Sequence, residues 1–124
     1  MTEHAGVVRD EDGVLAGISA LDAVEARIAD IGVHPDLAGF HDLAHAFDLK
    51  SSALAARATL DAARERRETR GCHNRSDYPA IDDALQVNLV WSGAGRIERE
   101  AIPPIPAEIA ALMRDVSSAG KLLE

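Results

Sequence analysis

The chain is 124 residues long, which suits one domain with a modest core of its own. Acidic residues outnumber Lys plus Arg by 21 to 13, and the resulting formal charge of −8 repels nucleic-acid phosphates and anionic membrane surfaces, which argues against nucleic-acid binding. The single cysteine excludes an intrachain disulfide framework and agrees with a reducing compartment. Met1-Thr2-Glu3-His4 lacks the basic and apolar regions of a signal peptide, and no apolar run approaches the roughly 18 residues of a membrane span, so a cytoplasmic protein that does not itself cross a membrane is expected.

Aromatic residues make up only 3% of the chain while alanine is abundant, so the core must come from Ala, Leu, Ile and Val on closely approaching helices. Residues 1 to 11 mix the apolar patch Ala5 to Val8 with charges, and Gly6 weakens any helix there. Asp12 can cap a helix starting near Gly13, with Leu15, Ile18, Leu21, Val24, Ile28 and Ile31 on one face and Asp22, Glu25, Arg27 and Asp30 on the other, stopped by Gly32. Gly32-Val33-His34-Pro35 reads as a turn, with Asp36 the next cap. From Leu37 to about Thr69 the pattern predicts a helix roughly 50 Å long, with Leu37, Phe40, Leu43, Phe47, Leu54 and Leu60 as its buried stripe. Asp48 to Ser52 is the place where it could bend or break. The two helices can pair antiparallel, which leaves one side of the longer one wanting a third partner.

Cationic residues suit the last turn of a helix, so the run Arg64 to Arg70 closing at Gly71 reads as its end. Pro79 disfavours a helical Tyr78, which makes 72 to 79 an ordered loop. Leu85, Val87, Leu89 and Trp91 then alternate as a half-buried strand does, Ser92-Gly93-Ala94-Gly95 turns, and Arg96 to Glu100 returns, predicting a β-hairpin. After Ile102-Pro103-Pro104-Ile105-Pro106 a short helix with Ile109, Leu112, Met113 and Val116 ends near Gly120.

Three chemistries compete for the polar residues. His41 and His45 lie four apart on a helix, and with Cys72, His73 and Asp77 they invite a metal site; the run His41 to His45 has Asp42 where the zinc-protease motif has its Glu, and two histidines are not a ligand set. Cys72 beside His73 and several arginines could be a thiolate nucleophile, but a helix C-terminus disfavours the anion and no orienting third group is evident. Arg64, Arg66, Arg67, Arg70 and Arg75 are either a solvated helix end paired with Glu65, Glu68 and Asp77, or an interface, where Arg suits bidentate docking to carboxylates and carbonyls.

The run Glu68-Thr69-Arg70-Gly71-Cys72-His73-x-Arg75-x-Asp77-Tyr78-Pro79 resembles one in the C-terminal helical domain of the succinate dehydrogenase and fumarate reductase flavoprotein subunits, a family that includes L-aspartate oxidase. Gly6-Val7-Val8-Arg9-Asp10 and Leu85-Gln86-Val87-Asn88-Leu89-Val90-Trp91 agree in the same order. The resemblance implies one mainly α domain over 1–124. It would comprise an antiparallel, three-helix, spectrin-repeat-like bundle with the Arg-rich loop (1–79), a small β-hairpin (84–101), and a short helix with a tail (104–124). It implies FAD in the full-length enzyme, bound elsewhere, since no Gly-x-Gly-x-x-Gly follows a strand here. No catalytic, cofactor-binding or metal residue is therefore assigned.

By the same resemblance Cys72 is a small packed side chain, the bundle's first helix begins upstream of Met1, and residues 66 to 79 are the surface docked on the flavin-binding domain. Arg67, Arg70, His73, Arg75, Asp77 and Tyr78 are the expected docking residues. The apolar stripe on the long helix adds the expectation of a homodimer, the competing outcome being that the C-terminal helix, through Ile109, Leu112 and Val116, folds back as a third helix and keeps the chain monomeric. The alternatives are a free-standing helical interaction module, the C-terminal domain of an L-aspartate oxidase, and a small metalloenzyme on His41, His45 and His73.

Overall fold

The structure, a computed structural model, describes residues 3–93 and 95–112. Its elements in order are β1 (Val8–Arg9), α1 (Glu11–Ile28), α2 (Leu37–Glu65), β2 (Asn74–Arg75), a 3-10 turn at Asp83–Leu85, β3 (Val87–Ser92) and β4 (Arg96–Ala101), with 107–112 helical after Pro106. The chain is thus mainly helical with a small antiparallel strand pair, as expected. Met113, Val116 and the helix end near Gly120 lie outside the described residues.

α1 starts two residues before the predicted position. Asp10, in extended conformation, accepts the Gly13 N–H at 2.7 Å, which makes it the cap and leaves Glu11 and Asp12 in the first turn, where negative charge suits the helix dipole. The helix ends at Ile28 rather than reaching Ile31, because the Asp30 and Ile31 amides bond three residues back and tighten the last turn. Asp36 caps α2 as predicted, accepting the Gly39 N–H at 2.7 Å. A Cβ at Gly39 would stand 1.7 Å from the His34 carbonyl oxygen, so the approach of the turn to the helix requires glycine there.

α2 runs without interruption for 29 residues, so the break considered at Asp48 to Ser52 does not occur. It stops at Glu65 instead of continuing to Gly71. The reason is tertiary: Arg66 leaves the helix to reach Glu68 and the carbonyls of Leu85 and Val87. Gly71, at φ 58°, supplies the left-handed residue of a tight turn in which Arg70 and His73 exchange both backbone hydrogen bonds.

The two helices pack antiparallel. Glu11 meets Arg64 at one end, Arg57 bonds Asp22 and Glu25 further along, and Val14, Leu60 and Ala63 form the core between them with Ala5, Ile18 and Leu21 against it. A Cβ at Gly17 would be 2.8 Å from His4 Cβ and 3.0 Å from Leu60 Cδ2, so the missing side chain admits both neighbours. The buried face of α1 is Val14, Gly17, Ile18 and Leu21; Leu15, Val24 and Ile31, predicted to be inside, are 40–45% exposed. On α2 the face toward α1 is made of small residues around Ala53 and Ala63 with Leu60, and the predicted stripe from Leu37 to Leu54 faces outward.

β3 and β4 pair antiparallel from Val87↔Ala101 to Ser92↔Arg96. The strand starts at Val87, two residues later than predicted, because Asp82 caps the 3-10 turn that buries Leu85. The hairpin is held to α2 by Trp91 Nε1 donating to Asp61 at 2.9 Å and by Arg99 on Glu65 at 2.6 Å. A second, unpredicted pairing joins β1 and β2 in parallel, Val8↔Asn74 and Arg9↔Arg75.

Candidate docking site at the arginine-rich loop

The loop after α2 is closed by two fully buried ions of opposite sign, Glu68 and Arg75. The Glu68 carboxylate accepts from Arg66 Nη1 at 2.6 Å and Arg70 Nε at 2.9 Å, and its other oxygen takes the Asp82 N–H at 2.9 Å. An anion buried away from water persists only where such donors replace its hydration. The bond from Arg70 leads the others in holding the Glu68 pKa down at about 2. Arg66 donates further to the carbonyls of Leu85 and Val87, both at 2.8 Å, so the same cluster fixes the root of the hairpin.

Arg75 forms a fork on Asp77, with Nε to Oδ1 at 2.7 Å and Nη2 to Oδ2 at 2.6 Å. It also donates to Ala63 O at 2.8 Å and Glu11 Oε2 at 3.1 Å, and its guanidinium lies 5.0 Å from the Tyr78 ring centroid. Asp77 additionally accepts the Glu11 N–H at 2.9 Å, so one carboxylate serves both Arg75 and the positive end of α1. Its pKa is held at about 2, chiefly by Arg75, and Asp77 in turn raises that of Arg75.

His73 bridges the two halves. Arg9 Nη1 stands 2.8 Å from Nδ1, and Nε2 is 2.9 Å from the Arg66 carbonyl. A guanidinium only donates and a carbonyl only accepts, so the ring is the neutral tautomer with its proton on Nε2. Burial is the main cause that lowers its pKa, and the Arg9 charge adds to it. Arg9, Arg66 and His73 line one end of an open cleft of about 580 Å³ whose other walls are Ala62, Asn88 and Leu89.

Of the six predicted docking residues, the fold brings Arg70, His73, Arg75 and Asp77 into this internal network, with Arg75 offering no exposed side-chain surface. Arg67 and Tyr78 are exposed on its outside. Sequence reasoning passed over Arg9 and Glu11 as partners of the loop; the signal available for Arg9 was its place in the Gly6 to Asp10 motif. His41 and His45 are exposed on α2, Cys72 is exposed in the turn, and among the described residues no three His, Cys, Asp or Glu side chains converge as a metal would require.

Fold and loop together define a mainly helical domain with a charged, internally satisfied knot at one end. The family model described as fumarate reductase flavoprotein C-term matches residues 1–112, and the chain belongs to that family. It is 31% identical over 108 residues to the L-aspartate oxidase of Rhodospirillum rubrum, covering 87% of this chain and 32% of that protein. It is 27% identical over 119 residues to the succinate dehydrogenase flavoprotein subunit of Rickettsia bellii, covering 95% and 20%. An uncharacterized FAD-dependent oxidoreductase of Methanocaldococcus jannaschii is 29% identical over 93 residues, covering 75% and 16%. Among solved structures, Mycobacterium smegmatis Sdh1 in complex with UQ1 superposes with a TM-score of 0.66 at 25% identity, over 82% of this chain and 18% of that one. The chain therefore spans between 16% and 32% of the length of these curated relatives.

Proposed function

We propose that this chain serves as the C-terminal helical domain of an FAD-dependent oxidoreductase of the succinate dehydrogenase and fumarate reductase type, docking on the flavin-binding domain and supplying no catalytic group. The observation that carries this is the family match across residues 1–112. The geometry supports a structural role, because the motif's charged side chains are bonded to one another rather than directed at a substrate. In this reading Arg70, His73, Arg75 and Asp77 shape the loop, and Arg67 and Tyr78 on its outer side reach the partner domain.

FAD belongs to that partner domain. A helix N-terminus can hold a diphosphate through its free N–H groups, but here Asp10 and Asp36 occupy those groups with carboxylates, whose charge repels phosphate. Among the described residues, neither long helix therefore offers its N-terminus to a diphosphate. In this reading the third helix of a spectrin-like arrangement begins upstream of the position of Met1 in the parent enzyme. The exposed apolar run along α2 supports a homodimer through the long helix as a second contact of the domain.

The test is reconstitution. Mixed with the Rickettsia bellii succinate dehydrogenase flavoprotein subunit lacking its own C-terminal part, the chain should co-purify with it and raise succinate-dependent turnover, and Arg67→Glu should weaken the association. The chain alone should carry no flavin absorption band. Failure to associate, or a flavin that co-purifies with the isolated chain, would overturn the reading.

A further inference from the structure

Arg9 is the one half-buried cation of the knot that no carboxylate answers among the described residues. Arg64, Arg66, Arg70 and Arg75 each pair with Glu11, Glu68 or Asp77, while Arg9 bonds only the Gly6 carbonyl through Nε and the His73 ring through Nη1. In a chain of formal charge −8, a guanidinium left without an anion points to one supplied from outside. Arg9 lines the cleft together with Thr59, Ala62 and Ala63 of α2 and with Asn88, Leu89 and Val90 of β3.

β3 meets this cleft with a free backbone edge. Residues of an antiparallel pair turn their N–H and C=O groups alternately toward and away from the partner strand. The Val87 carbonyl is turned away from β4, since it accepts from Arg66, so in the register Val87↔Ala101, Leu89↔Arg99 and Trp91↔Ile97 the groups of Leu89 and Trp91 are turned away as well. Among the described residues, no backbone hydrogen bond from outside the strand pair reaches Leu89. β4 has an outer edge too, but Arg96, Glu98, Arg99 and Glu100 charge it, which discourages pairing; no residue of β3 is charged.

We infer that the cleft receives an extended segment of the flavin-binding partner, which adds as a third strand along β3 and sets an Asp or Glu side chain on Arg9. The main-chain bonds form at Leu89, and the small side chains of Ala62 and Ala63 admit a backbone close to α2. The charges select a carboxylate. Arg66 is already paired with Glu68 and the His73 ring is neutral, so the cleft offers the single charge of Arg9, which one carboxylate balances and a phosphate dianion does not. The bonds to Gly6 and His73 hold the guanidinium in place beforehand, so little side-chain freedom is lost on docking. For the source of the segment this inference rests on the docking reading, and it names a contact that does not involve Arg67 or Tyr78.

The test uses the complex with the truncated Rickettsia bellii subunit and follows amide hydrogen exchange in this chain residue by residue. In the free chain Asn88 and Val90, bonded to β4, should exchange slowly and Leu89 fast; in the complex Leu89 should slow by roughly tenfold or more. Arg9→Gln keeps a donor for His73 and removes the charge, so it should weaken association by roughly tenfold at low ionic strength and by less at about 0.5 M salt, where the charge is screened. Should the far-UV circular dichroism of Arg9→Gln depart from that of the parent chain, the Leu89 exchange of the unaltered chain decides alone. A complex in which Leu89 exchanges as in the free chain overturns the proposal and leaves the docking reading standing, and so does a folded Arg9→Gln chain that associates as tightly as the parent. Absence of any complex overturns the docking reading and this proposal with it.

Discussion

Replacing Glu68 by Gln tests the knot most directly, because the amide keeps the shape of the side chain and removes its charge. With the amide oxygen in the place of Oε1, Arg66 and Arg70 would donate to a neutral acceptor, and the amide NH2 would face the Asp82 N–H that Oε2 now accepts. The folded-state pKa of about 2 lies some two units below the ordinary glutamate value of about 4.3. At about 1.4 kcal/mol per unit, the ionised form contributes about 3 kcal/mol relative to the protonated one. Breaking a buried ion pair by removing one partner independently costs about 3–5 kcal/mol, so the two routes agree. Urea unfolding followed by far-UV circular dichroism should show Glu68→Gln less stable by about 3 kcal/mol at pH 7. Because the folded pKa is depressed, the stabilisation is complete above the unfolded pKa and disappears as pH falls through the folded one, so the gap should close toward pH 2. A gap below about 1 kcal/mol at pH 7, or one that persists unchanged into acid, would refute the assignment of Glu68 as a buried, doubly paired anion.

Asp77→Ala should be comparably costly, about 3 kcal/mol in the same assay, because it takes the forked carboxylate from a buried guanidinium and the acceptor from the Glu11 N–H; a change within about 0.5 kcal/mol would mark Asp77 as an ordinary surface residue. Gly17→Val should destabilise by about 1–3 kcal/mol through overpacking against His4 and Leu60, seen as a lowered Tm, and an unchanged Tm would mean the N-terminal segment does not sit on α1. For the unaltered chain, His73 binds its proton less readily when folded, so stability should start to fall as pH drops below about 6.5 and fall more steeply below about 4.5, where Glu68 and Asp77 are protonated in the unfolded chain first. A pH titration of the denaturation midpoint that stays flat down to pH 4 would contradict the neutral, buried His73.

Periodicity and capping rules were enough to read both long helices, the Asp36 cap and the hairpin, because those features are written within a few residues of one another. The end of α2 was not legible locally: Arg66 to Thr69 contains good helix formers, and only the burial of Glu68 by partners from 66, 70 and 82 stops the helix there. The inward face of α2 differs from the one periodicity predicts for a related reason. Large apolar residues are expected on the core side, whereas α1 approaches along the alanines, where small side chains let the axes come close. The motif located the loop, but which of its charges point inward depends on Arg9 and Glu11, more than 60 positions away.

The parallel pairing of β1 with β2 has a consequence for how the molecule assembles. Its bonds, and those of Arg9 to His73 and Glu11 to Asp77, join positions 64 to 67 residues apart, among the longest-range closures of the fold. Closing so long a loop in an unstructured chain is slow and entropically unfavourable. Once α1 and α2 zip into their antiparallel hairpin, however, Glu11 already stands beside Arg64, and the remaining gap to Arg75 is only about ten residues. The helical hairpin is thus the scaffold on which the clasp shuts, so the folding transition state should contain α1 against α2 before the ion pairs form. Substitutions at Val14 or Leu60 should then slow folding, while those at Asp77 mainly speed unfolding.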